Sequence, residues 1–177
     1  MSSTAFPEPV TLIVGMITSR ISLFDRAEEE LKQLYGPTGL KSDIFDFNFT
    51  DYYEEEMGPN LKRKFLSFKN KINPDQLSKI KLQTNELERI FAEKEPFVPR
   101  PINLDPGYIS PSKLVLATTK DYAHRIYLRD GIYAEVTLIY RNKRFEPLDT
   151  TFPDYRTKKY IKFFTRIRNR IMAISRK

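Results

Sequence analysis

The sequence predicts an α+β fold, an α/β sandwich built as a single domain on a mixed sheet. Three observations predict it. Apolar runs of strand length alternate with stretches at helical spacing, in the order strand, helix, strand, strand, helix, strand. That is the split βαβ order of ferredoxin-like folds, a βαββαβ start. A turn signal at Arg129-Asp130-Gly131 then adds a C-terminal β-hairpin, and a basic amphipathic stretch adds a C-terminal helix.

Taken in order, residues 1–9 carry prolines and little apolar character, and predict a flexible arm ahead of one globular domain, 10–177. Residues 10–17 form an apolar run that reads as a buried strand. Ser22 is positioned to cap a helix ending at Gly36-Pro37, with Phe24, Ala27, Leu31 and Leu34 as its stripe. Phe45, Phe47 and Phe49 alternate with Asp46 and Asn48, which predicts a half-buried strand over 43–50. Residues 61–68 read as a further strand. Asn73-Pro74-Asp75-Gln76 is a helix start: Asn73 caps, Pro74 suits the first helical position, and Gln76 bonds back. Leu77, Ile80, Thr84, Leu87 and Phe91 make the inner stripe of that helix. A short extended strand is expected over 101–104, a turn at Asp105-Pro106-Gly107, and a short helix over 113–119 after Ser110-Pro111-Ser112. The last helix is expected to begin near Asp154 or Thr157, with Tyr160, Phe163, Phe164, Ile167, Ile171 and Ile174 on one stripe.

The hairpin admits two registers. A two-residue Asp-Gly loop pairs Leu128 with Tyr133 and Ile126 with Glu135. A three-residue loop with Gly131 left-handed pairs Leu128 with Ile132 and Ile126 with Ala134. The hydrophobic pattern favours the second, which groups Ile126, Leu128, Ile132, Ala134, Val136 and Leu138 on one face. Arg125 then sits opposite Glu135, either as an exposed cross-strand ion pair or as a charged pair at the wall of a pocket.

Composition narrows the chemistry. The chain has no cysteine, which excludes disulfides, thiol catalysis and cysteine-based zinc sites. His124 is the one histidine, so no multi-histidine metal site can form within one chain. The apolar run over 12–17, broken by Gly15, is too short to span a bilayer, and the N-terminus lacks the features of a signal peptide. A cytoplasmic protein is the expectation. The net charge of +7 is local. Of the 30 Lys and Arg, eight lie between 158 and 177 with no Asp or Glu among them, leaving 22 against all 23 acidic residues elsewhere. Anionic partners are therefore sought at Lys158, Lys159, Lys162, Arg166, Arg168, Arg170, Arg176 and Lys177.

Several stretches, in order, carry a family resemblance: Phe47-Asn-Phe-Thr-Asp-Tyr-Tyr-Glu-Glu-Glu-Met-Gly58, Ile80-Lys-Leu-Gln-Thr-Asn-Glu-Leu-Glu88, Asn103-Leu-Asp-Pro-Gly-Tyr108, Lys113-Leu-Val-Leu-Ala-Thr-Thr-Lys-Asp121 and His124-Arg-Ile-Tyr-Leu128. Gly131-Ile-Tyr-Ala-Glu-Val-Thr-Leu138 and Phe152-Pro-Asp-Tyr-Arg156 complete them. Across nearly its whole length the chain resembles the prokaryotic family called domain of unknown function 4416. The resemblance implies a small bacterial or archaeal cytoplasmic protein, and members are sometimes labelled GTP-binding. The residues do not carry a GTPase pattern. The first strand runs into Gly15-Met-Ile-Thr-Ser-Arg20, with no second glycine and no Gly-Lys to cradle phosphates. Thr118-Thr-Lys-Asp121 has Lys120 and Asp121 adjacent, unlike the Asn-Lys-x-Asp that reads guanine. No Gly-x-Gly-x-x-Gly is present either.

What remains is a set of short polar signatures after the expected strands. Asp51, Tyr52 and Tyr53, Thr84 and Asn85, Asn103 and Asp105, Lys120, His124 and Arg125, and Tyr155 and Arg156 are the candidate ligand-binding residues. Lys120, Arg125 and Arg156 suit phosphate, by charge and paired N–H donors. Asp105, His124 and Glu135 are the candidates for acid–base work, and Asp51 and Asp105 for Mg²⁺. Each has a plainer alternative: Asp105 as a turn-former, His124 as a hydrogen-bonded structural histidine, Thr84 bonded to its own helix, and Lys81, Asn85 and Glu88 as surface charge pairing. The leading expectation is binding of, or chemistry on, a phosphate-bearing small ligand such as a nucleotide. The alternatives are RNA or DNA binding through the basic last helix, and an adaptor for another protein.

Overall fold

In the computed structural model, which describes residues 3–50 and 53–174, β1 (Val10–Thr18) is the central strand and all nine of its residues are buried. A strand covered on both faces needs apolar side chains at odd and even positions alike. Leu12, Val14 and Met16 join one core, whereas Ile13 and Ile17 join clusters on the other side. Residues 3–9 are exposed and outside any regular element.

The first core is closed by α1 (Ser22–Tyr35) and α3 (Leu77–Lys94), which bury Phe24, Ala27 and Leu31, and Ile80, Leu87 and Phe91 respectively. The remaining elements are β2 (Thr38–Lys41), β3 (Phe45–Asp46), a single turn α2 (Glu54–Met57), β4 (Lys62–Ile72), β5 (Asn103–Ile109), β6 (Lys113–Thr118), β7 (Ile126–Arg129), β8 (Ile132–Arg141), β9 (Arg144–Pro147) and α4 (Lys158–Ile174). α4 covers the opposite face, where Tyr160, Phe163 and Phe164 surround Phe65 of β4. Rings buried this way contribute about 1.5–3 kcal/mol each.

The sheet order is β2-β4-β1-β5-β6-β8-β7, with β3 on β4 and β9 on β8. Every pairing is antiparallel, so the sheet is not mixed as expected. β2-β4-β1-β5, with α1 and α3 on one face, is the ferredoxin-like start, and the later strands extend it past β5.

Four local expectations change. The strand over 43–50 shortens to Phe45–Asp46. Ser22 is already helical, and Ile21 occupies the capping position without a side-chain bond. Residues 113–118 form β6 rather than a helix: a short apolar run fits either, and pairing with β5 and β8 decides it. Asp105-Pro106-Gly107 is no turn but the middle of β5, opposite Gly15, Val14 and Ile13.

The hairpin combines the two registers. Asp130 and Gly131 both have positive φ, at 52° and 75°, and Arg129 pairs with Ile132, so the loop has two residues. A bulge at Leu128 then restores the pairing of Ile126 with Ala134. The expected apolar face does not hold together. β7 is an edge strand on which Ile126 and Leu128 are exposed. On β8 a bulge between the pairs Leu114↔Leu138 and Val115↔Val136 turns Leu138 toward the α4 core, while Val136 stays with the α3-side cluster. Glu135 and Thr137 are buried.

Candidate functional site

A cleft of about 560 Å³ opens where β5 and β6 part. Their pairing runs from Ile109↔Leu114 to Gly107↔Leu116 and stops beside Pro106, which has no N–H for a ladder. Asn103 and Asp105 line one side of the gap, and Leu116, Ala117 and Thr118 the other. Phe47, Phe49, Tyr53, Tyr122 and Phe152 supply aromatic walls.

The floor is organised by Arg63. It lies two residues before the buried Phe65 on β4, hence on the same face, and it is itself 3 % exposed. Nη1 donates to Asp105 Oδ2 at 2.9 Å and Nη2 to Asp154 Oδ2 at 3.0 Å. Gly15 lies across from both Phe65 and Asp105, and a Cβ there would stand 2.9 Å from Arg63 Nη1. The missing side chain is what makes room for the guanidinium. Arg63 Nε, Tyr155 OH and Tyr160 OH are buried with no hydrogen bond among the described residues.

The two carboxylates on Arg63 diverge. Burial pushes Asp105 up, but Arg63, Lys81 and Arg100 outweigh it and hold the carboxyl below its ordinary range. For Asp154, burial and the nearby Asp105 prevail over the pull of Arg63, and its pKa is raised. Asp105 also accepts from Asn103 Nδ2 at 2.7 Å, and Asn103 in turn accepts from Arg100. Arg100 is held by Glu88 of α3 at 2.8 Å, and Glu88 takes the Leu104 N–H at 2.7 Å. Burial raises the Glu88 pKa. Burial, aided by Asp105, pushes Tyr53 up to about 12.

Lys81 reaches the cleft from α3. It is 6 % exposed, and Nζ donates to Leu104 O at 2.9 Å. It makes no ion pair among the described residues.

At the far wall Arg125 Nε donates to Glu135 Oε2 at 2.7 Å, with both side chains 2 % exposed. Arg125 Nη1 also donates to Lys120 O at 3.0 Å, and the guanidinium lies 4.4 Å from the Tyr122 ring centre. The pair is thus a buried pocket wall and not an exposed cross-strand bridge. His124 Nε2 shares the same Glu135 oxygen at 3.2 Å. Its ring is hydrogen-bonded, as the plainer expectation held, and stands behind the wall.

Of the sequence candidates, Tyr53, Asn103, Asp105, Lys120, Arg125, Glu135 and Tyr155 line this one cleft. Asp51 and Tyr52 lie outside the described residues. Thr84 and Asn85 do not reach it: Thr84 Oγ1 bonds Lys81 O within α3 at 2.9 Å. Arg156 is no phosphate clamp. It does not line the cleft, and its Nε and Nη2 donate to the carbonyls of Thr151, Leu148 and Asp149. Sequence reasoning missed Arg63, did not place Asp154 among the ligand-binding residues, and offered surface charge pairing as the plainer reading of Lys81. The signal for Arg63 was its alternation with Phe65. Among the described residues no three acidic or histidine side chains converge as metal ligands, and the Asp105 carboxylate faces Arg63 instead.

Among the described residues no helix is long and apolar enough to cross a membrane. No curated protein and no solved structure matches the chain. Residues 8–171 match the family model described as Domain of unknown function (DUF4416), and the chain belongs to that family.

Proposed function

We propose that the cleft binds a small anionic ligand with a planar ring, of the mononucleotide or similar phosphate-bearing class, met in the cytoplasm. The observation that carries this reading is Lys81. Its buried ammonium feels the charges of Asp105 and Glu88 but among the described residues touches one backbone carbonyl and no carboxylate, and an anionic group on the ligand would supply that direct contact. The other cationic walls support an anion less directly. Arg63, Arg100 and Arg125 are each bound to carboxylates, so the cleft is close to charge-balanced and suits one compact anionic group more than a polyphosphate. The volume lies within the range of small-molecule sites, and the aromatic walls offer stacking surfaces for a base.

The test is a thermal-shift screen with inorganic phosphate, AMP, GMP, ribose 5-phosphate and Mg²⁺. A ligand at about a hundred times its Kd stabilises the folded chain by about 2.7 kcal/mol, which raises Tm by several degrees. The rise should vanish in Lys81→Met. No response to any phosphate-bearing compound, or an undiminished response in the variant, overturns the reading.

A further inference from the structure

The arginines ahead of α4 are mostly engaged. Arg63, Arg89, Arg100, Arg125, Arg141 and Arg144 all hold carboxylates. The outer face of α4 breaks that habit. Lys158, Lys162, Arg166 and Arg170 are exposed, follow one another every four residues, and make no ion pair among the described residues. Four residues of helix rise about 6 Å, so the row places four like charges over about 18 Å. Like charges at this spacing destabilise a helix, and nothing in the α4 sequence relieves it, since the helix holds no Asp or Glu.

Neighbouring structure adds to the excess. α4 lies against β9, and Arg144, Lys158 and Lys162 border one groove. Glu146, on the same groove, is occupied by Arg141, Arg144 and Asn142. Its single charge is already shared by two arginines, so it neutralises little of the row. Arg168 shows the contrast on the same helix: its Nε donates to Pro111 O at 2.6 Å and its guanidinium lies 3.3 Å from the Tyr140 ring centre. That arginine is structural, whereas the row is not.

We propose that this face of α4 binds the phosphate backbone of a nucleic acid. Charge complementarity selects a linear polyanion, because four cations in a line match a partner whose charges are also in a line. A lipid surface fits less well. The apolar side of α4, with Tyr160, Phe163, Phe164 and Ile167, is buried on the sheet and cannot enter a bilayer. The contacts are to phosphates alone, so binding is independent of base sequence. The inference does not rest on the cleft.

The experiment is fluorescence anisotropy of a labelled twenty-nucleotide duplex and single strand with the full chain, titrated with NaCl upward from roughly 50 mM. Four phosphate contacts give a log K against log salt slope of about −3.6 for duplex and about −2.8 for single strand. The triple variant Lys162→Glu, Arg166→Glu, Arg170→Glu should bind at least about tenfold more weakly and lose most of that slope. The corresponding triple glutamine variant should lie between, and melting curves confirm that both fold. Lys81→Met should bind the oligonucleotides like the parent, which separates this surface from the cleft. Absence of salt-dependent binding, full binding by the glutamate variant, or binding to anionic phosphatidylserine vesicles but not to oligonucleotides overturns the proposal.

Discussion

Asp154 Oδ2 accepts Arg63 Nη2 at 3.0 Å across 91 positions of the chain, with both side chains almost fully buried. The bond ties the turn ahead of α4 to the second residue of β4, and so fixes one wall of the cleft to its floor. Removing Asp154 leaves Arg63 with Asp105 as its one carboxylate among the described residues. Asp154→Ala should cost about 1–3 kcal/mol in urea unfolding. The double variant Arg63→Met, Asp154→Leu should cost more than Asp154→Ala, because it also leaves the Asp105 carboxylate without its arginine. A cost below about 1 kcal/mol for Asp154→Ala would mean that the pair is solvated.

The opposite shifts of the two carboxyls on Arg63 predict opposite pH dependences. Asp154 binds its proton more tightly in the folded chain than in the unfolded one. Its contribution is therefore greatest below the unfolded value of about 4, and is lost as pH rises through the raised folded value. Asp105 has a lowered folded value, so its contribution is present above about 4 and is lost as pH falls through that lower value. Urea midpoints measured from acid to neutral pH should show this separation. Asp154→Asn should flatten the decline above about pH 4, and Asp105→Asn should flatten the loss below it.

Lys81 and Thr84 sit one turn apart on α3 and should part company on substitution. Lys81→Met removes a buried charge that has no ion pair among the described residues. Relief of the buried ammonium offsets the loss of its attraction to Asp105 and Glu88, so stability should change by about 1 kcal/mol or less, while affinity for AMP or GMP falls at least about tenfold. Thr84→Val removes a hydroxyl bonded only to Lys81 O within the same helix. It should cost about 1 kcal/mol or less and leave nucleotide affinity as it was. Paired isothermal titration and urea unfolding check both. Equal losses of affinity in the two variants would show that they act through the helix and not through the ammonium.

These residues also show where the sequence is legible. The ferredoxin-like start reads well because apolar spacing reports burial: the stripes of α1 and α3 are the ones that enter the core, apart from the exposed Leu34. The joining of Asn103, Asp105, Lys120, Arg125 and Tyr155 in one cleft follows from polar signatures placed just before or after strands. Charged residues are harder. Arg63 stands in Lys62-Arg63-Lys64, where a solvated cation and a buried one look alike apart from the alternation with Phe65, and the 3 % exposure separates them. Asp105 precedes Pro106-Gly107, a local pattern for a turn, yet the ladder to β1 holds it extended. There tertiary pairing prevails over local propensity.

Gly15 offers the sharpest test of the floor. The sequence presents it as a lone glycine in an incomplete phosphate loop, but the structure gives it a packing role. Its φ is not in the left-handed region, so alanine brings no backbone strain. The added Cβ would meet Arg63 Nη1 at 2.9 Å and Phe65 Cε1 at 3.0 Å. Phe65 is hemmed in by Tyr155, Tyr160 and Phe164, so the guanidinium is the group that yields. Gly15→Ala should cost about 1–3 kcal/mol and draw Arg63 away from Asp105. Losing that partner raises the folded pKa of Asp105 toward its unfolded value, so the acid-side loss of stability should shrink as well. Gly107→Ala is the comparison. Its Cβ would lie 2.3 Å from Val115 O, a backbone atom, so it should destabilise at least as much while leaving the acid-side loss in place. If both variants lose stability with the acid limb unchanged in each, Gly15 serves only sheet packing and the guanidinium does not depend on it.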